Sequence, residues 1–152
     1  MKRLLLLMVL CSPLLQADVT LVDSGRPQAT LVLGEKATRS AQLAAFEVQH
    51  HIRLITGAQL DIVRTPPQDG IRIFIGNEAA QAAGFNEPLP ESERSVVHFQ
   101  DGDIILCGTD SPDYEAVDYK KHQTFPSFKG NYLGTLFAAY DFLEQGCGVR
   151  FY

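Results

Sequence analysis

The sequence predicts an α+β fold: a mixed β-sheet with two main helices packed on one face. Three observations carry that expectation. Two long segments, Thr38 to Thr56 and Tyr132 to Gln145, repeat their apolar residues every three or four positions, as amphipathic helices do. Around them lie short β-branched or apolar runs of strand length. The order ββαββ(α)ββα interleaves the two kinds of element, which calls for a layered arrangement.

Each element has local signals. Val19 to Val22 and Thr30 to Leu33 flank Ser24-Gly25-Arg26-Pro27, residues that favour a turn, so the two runs are expected as antiparallel neighbours. The first helix places Ala41, Ala44, Ala45, Val48, Ile52 and Ile55 on one face, and Gly57 supplies its stop. Leu60 to Val63 and Ile71 to Ile75 read as strands joined by a turn through Pro66-Pro67 and Asp69-Gly70. The second is apolar throughout except for Arg72, which predicts a central position. Glu78 to Ala83 reads as a helical turn closed by Gly84, and Pro88, Pro90 and the acids around them as a surface loop. Ser95 to Phe99 and Asp103 to Cys107 flank Gln100-Asp101-Gly102, a hairpin signal because Asp and Gly both tolerate positive φ. No periodicity survives between Gly108 and Gly130, and so long a stretch in a compact domain is usually functional or mobile. The last helix carries Leu133, Leu136, Phe137, Tyr140 and Leu143, widened by Phe142, a broader arc than one sheet contact needs. Gly146 and Gly148 then lead into Val149-Arg150-Phe151-Tyr152, which reads as the start of a strand.

At the other end, Lys2-Arg3, the apolar run Leu4 to Leu10, and Ser12-Pro13 with small or polar residues up to Ala17 have the three-part layout of a secretory signal peptide. Cleavage is expected after Ala17, leaving residues 18–152 as one domain in a secreted or periplasmic protein. The apolar run is far shorter than the roughly 20 residues of a membrane span, so export without a transmembrane anchor is expected. Cys11 raises a lipoprotein alternative, but bulky Leu10 stands where such signals want a small residue.

The chain has 13 basic and 18 acidic residues, and losing Lys2 and Arg3 leaves a formal charge of −7. Such a surface repels phosphate backbones, and no basic cluster offsets it, which argues against nucleic acid as a partner. Cys107 and Cys147 survive processing; an oxidising destination permits a disulfide, but two residues form no spacing pattern, and two buried thiols are the favoured reading.

Chemistry-bearing motifs are absent. His50 and His51 are adjacent rather than a helical turn apart with a glutamate between, so they do not form a zinc pair, and one partly buried and one exposed ring are expected. Neither a phosphate-cradling glycine loop nor a Gly-x-Ser-x-Gly turn is present. No catalytic residue, metal site or cofactor is assigned. Asp110, Asp113, Glu115 and Asp118 in the long loop read as solvating groups, and Tyr114, Tyr119, His122, Phe125 and Phe128 as possible glycan or partner contacts. Packing of the loop onto its own domain explains those aromatics equally well.

Four stretches carry a family resemblance: E-V-Q-H-H-I-R-L-I-T-G-A-Q-L-D-I from Glu47, I-R-I-F-I-G from Ile71, D-G-D-I-I-L-C-G from Asp101, and G-T-L-F-A-A-Y-D-F-L-E-Q-G-C-G-V-R-F-Y from Gly134. In this order they resemble the N-terminal domain that precedes the catalytic barrel of α-glucuronidases, similar to the domain that fronts β-hexosaminidase-like glycosidases. The resemblance implies a non-catalytic accessory domain of a secreted glycoside hydrolase that breaks down xylan or a related polysaccharide. In the relatives the catalytic acids lie in a barrel of about 250 residues, more than this chain holds, so none is carried over. A catalytic barrel, in cis or as a separate chain, is the implied partner, with Phe137, Tyr140, Phe151 and Tyr152 as the docking face. The loop between residues 109 and 130 departs from the tighter connection of the relatives. A free-standing secreted glycan- or protein-binding module is the alternative reading.

Overall fold

The computed structural model describes residues 19–89 and 95–151. The leader with its processing site, Pro90 and Tyr152 lie outside the described residues.

A five-stranded sheet has the spatial order β4-β3-β5-β7-β6, built from β3 (Ala29–Leu33), β4 (Ile62–Val63), β5 (Ile71–Ile75), β6 (Ser95–Gln100) and β7 (Asp103–Gly108). β3 runs parallel to β4 and β5, β5 runs parallel to β7, and β6 alone is antiparallel. The register puts Leu31 beside Ile73 and Ile73 beside Ile104, and successive side chains alternate between the faces. Leu31, Leu33, Ile73, Ile75, Ile104 and Leu106 form one apolar face beneath α1 (Arg39–Thr56) and α3 (Gly134–Gly146). Val32, Phe74, Ile105 and Cys107 form the other, covered by α2 (Asn77–Ala82) and Phe85. Burial on both faces is why the central strands read as continuous apolar runs. Arg72, the one charge in β5, bonds Asp103 at 2.6 Å through Nη2 and 3.0 Å through Nε, with its guanidinium over the Phe74 ring.

The described residues thus form an α+β arrangement, a mixed sheet with three helices, of which the two long ones share a face as expected. Local signals acted where the sequence put them. Thr38 caps α1 by accepting the Ala41 N–H at 3.1 Å, and Gly57 ends it in the left-handed region. The β6–β7 hairpin turns on Asp101 and Gly102, both at positive φ.

Two pairings and one strand differ from expectation. The first run does not lie beside Thr30 to Leu33: β1 (Val22–Asp23) and β2 (Arg26–Pro27) close a separate hairpin, because Ser24 and Gly25 both take positive φ and reverse the chain within two residues. The strands on either side of Pro66-Pro67 are not neighbours either. β3 lies between them and all three run the same way, so the segment after β4 returns the chain to the start of β5 instead of turning a hairpin. Residues 147–151, the part of the tail that is described, form no strand; the Val149 N–H donates to Leu143 O at 3.0 Å and folds the tail back against the end of α3. Cys107 and Cys147 are free: Cys107 is buried under α2, whereas Cys147 is only half-buried, against the opposite cluster, so the sheet separates them. Burial pushes the Cys107 thiol up to about 11.

The start of α3 is packed against backbone. A Cβ on Gly134 would lie 2.5 Å from Thr109 N and 2.8 Å from Gly108 C, so only glycine lets the helix begin this close to the end of β7. Next to it Thr135 is fully buried, and its hydroxyl has no hydrogen-bond partner. Thr135→Val keeps the branched shape and removes that unpaired group, so it is expected to raise unfolding stability by about 1 kcal/mol in urea titrations. Leu106→Ala, at a fully buried position, is expected to lower it by about 2 to 5 kcal/mol in the same assay.

Candidate functional site

The segment between β7 and α3 is fastened along α1 by its own polar groups. Asp110 accepts from Thr38 Oγ1 at 2.8 Å, Ser40 Oγ at 2.8 Å and the Thr135 N–H at 2.9 Å. Arg39 Nη2 bridges Asp113 at 3.0 Å and Glu115 at 2.7 Å. One turn further along α1, Gln42 donates to Glu115 O and accepts from the Val117 N–H, both at 3.0 Å. Asp118 accepts from the Lys120 N–H, and that bond, with Lys121, holds its carboxyl below the usual range. The acids read as loop solvation are therefore bonded to named partners, and they carry the chain to Tyr119.

Tyr119 is the centre of an aromatic ridge on the outer side of α1. Its ring lies 5.8 Å from Phe125, nearly parallel, and 5.6 Å from both Phe46 and His50. His122 continues the ridge beyond Phe125 at 5.2 Å. On the other side the contacts run from His50 to His51, from His51 edge-on to Phe151 at 5.2 Å, and from Phe151 to Tyr140 on α3 at 4.9 Å. One carboxylate underlies both halves. Glu47 accepts the Tyr119 hydroxyl at 2.8 Å through Oε1 and faces His51 Nε2 at 3.5 Å through Oε2, with only 14% of its side chain exposed. Burial first, then the Glu47 hydrogen bond, raises the Tyr119 phenol. Burial, with Glu47 nearby, pushes the Tyr140 phenol up to about 12.

Of the loop aromatics, Tyr119, His122 and Phe125 are brought together and joined to Tyr140 and Phe151 from the other end of the chain. Tyr114 and Phe128 are exposed and share in none of these ring contacts; Tyr114 lies instead at the carboxyl ends of the strands. Phe137 is 39% exposed on α3, one turn before Tyr140. His50 is exposed and His51 half-buried, as expected of the pair. Glu47 was not singled out by the sequence, although its spacing to His51, four residues on along the same helix, was the available signal.

The arrangement fixes the orientation of its rings through one shared carboxylate. Glu47 Oε1 is taken by the Tyr119 hydroxyl while Oε2 faces His51, and among the described residues no group of three His, Cys, Asp or Glu side chains is placed to hold a metal ion. Among the described residues no helix is long and apolar enough to cross a membrane. No protein-family model matches the chain, and no curated protein matches it significantly.

The raised Tyr140 phenol fixes a pH response. The folded chain retains this proton after the unfolded chain, with a phenol near 10, has lost it, so stability is full below about pH 10 and falls as pH rises toward about 12. Tyr140→Phe is expected to reduce that alkaline loss, read as urea midpoints at neutral pH and near pH 11. An equal loss in both proteins would assign it elsewhere.

Proposed function

We propose that this chain is the non-catalytic N-terminal accessory domain of an exported glycoside hydrolase of the α-glucuronidase type, acting in breakdown of xylan or a related polysaccharide. The order of the four sequence stretches supports the family, and the charged, apolar and small-residue layout of residues 1–17 supports export. The observation that carries the accessory role is the outer surface of α1 and α3. Glu47, His51 and Leu54 fall on one stripe of α1, and Phe137 and Tyr140 on one stripe of α3. Leu54 is 68% exposed, Ile55 54% and Phe137 39%, and Phe151 bridges the two helices while remaining 41% exposed. An aromatic and aliphatic surface of this kind marks an interaction site. The chain reaches its last described residue on this same surface, so a body joined there would lie against it. The partner in this reading is a catalytic barrel, which supplies the acids that cleave the sugar bond.

Sequencing the DNA that follows the Tyr152 codon tests the proposal. A reading frame for a barrel of about 250 residues, joined or adjacent, is the expected result. An unrelated gene in that place would overturn the accessory role and leave the free-standing binding module. Purified chain alone is expected to release no sugar from chromogenic glycosides.

A further inference from the structure

β3 hands the chain to α1 on one face of the sheet, and its neighbour β5 hands the chain to α2 on the other. Connections that part in this way leave a crevice outside the carboxyl ends of the strands, the place where open α/β sheets bind ligands. Here the crevice has a volume of about 160 Å³, and Gly34, Gly76, Asn77, Glu78, Asp110 and Tyr114 line it. That is well below the roughly 300 to 1,000 Å³ of ordinary small-molecule sites, room for one ring rather than a chain of them.

Its chemistry selects hydrogen-bond donors. Glu78 is fixed in place because its Oε2 accepts the Lys36 N–H at 2.7 Å, and its Oε1 has no bond among the described residues. Asn77 Oδ1 is buried without a hydrogen-bond partner, so a side-chain rotation that turns it toward the crevice gives up no hydrogen bond. Anions are disfavoured. Two carboxylates against the single Lys36 set the charge, and at the start of α1 the Arg39 N–H is already taken by Asp113 O and the Ala41 N–H by Thr38 Oγ1. Tyr114 stands at the rim with 59% of its surface exposed, and among the described residues its ring touches no other ring.

We propose that this crevice binds one neutral, hydroxyl-rich ring, a single sugar residue. Glu78 and Asn77 accept its hydroxyl protons and Tyr114 covers its apolar face, as aromatic side chains do when they pair an apolar body with a polar edge. The site lies apart from the α1–α3 surface, so it stands or falls independently of the accessory role.

The test is a titration of the chain with D-xylose and with D-glucose, followed by amide nuclear magnetic resonance. Saturable shifts at Gly34, Gly76 and Asn77 are expected with one or both sugars at millimolar concentrations. Tyr114→Ala and Glu78→Gln are each expected to weaken them about tenfold. Tyr114 is exposed, so its variant keeps the fold, which the remaining amide shifts verify. Amides that stay still with both sugars, or shifts unchanged in both variants, would overturn the proposal. So would equal or stronger shifts with inorganic phosphate, which the two carboxylates are expected to repel.

Discussion

One carboxylate sets where both long helices begin. Asp110 follows the end of β7 and takes hydrogen bonds from Thr38 and Ser40 at the start of α1 and from the Thr135 N–H at the start of α3. Ser40 closes the circuit by accepting the Leu136 N–H at 3.2 Å. The amino ends of helices carry partial positive charge, and a partly buried anion there contributes about 0.3 to 2 kcal/mol per helix. Neither helix could shift along the sheet without breaking bonds to the same side chain. Both start at the carboxyl ends of parallel strands and run back over one face, so their outer stripes lie side by side. The meeting of His51 and Tyr140 over Phe151 is a consequence of that shared origin.

The segment between Asp110 and α3 extends the same constraint. Exposed ion pairs contribute little singly, but Arg39 has only 16% of its side chain exposed and holds two acids and a backbone carbonyl at once. Gln42 adds a two-way bond to the backbone a turn later. The outcome is that Tyr119 is delivered to Glu47 with its ring fixed against Phe46, His50 and Phe125. A long segment without helix or strand periodicity is thereby made part of the surface it covers. Its shape comes from bonds to a helix, so the absence of periodicity in its sequence was no measure of its order.

What could be read from the sequence was what neighbours along the chain decide. The periodicity of α1 with Gly57 after it, the Asp101-Gly102 turn, and the apolar arc of α3 all rest on residues within a few positions of each other. Strand direction did not, because a short apolar run such as Ile71–Ile75 pairs equally well either way and only its distant neighbours choose. The same applies to the polar residues. Tyr119 meets Glu47 across 72 positions and Asp110 meets Ser40 across 70, separations at which acids in a loop look like solvent-facing groups. Glu47 carried one local mark, the i,i+4 spacing to His51, but its burial came from Tyr119 and could not be read beside it.

The most direct test of this account is amide hydrogen exchange in the wild-type chain and in Asp110→Asn, which keeps the shape of the side chain and replaces one acceptor by a donor. If Asp110 ties the two helices to one point, the first turns of α1 and α3 lose protection together, and contacts of the Phe151 ring with His51 and Tyr140 weaken with them. Loss confined to one helix, or protection unchanged in both, would contradict it.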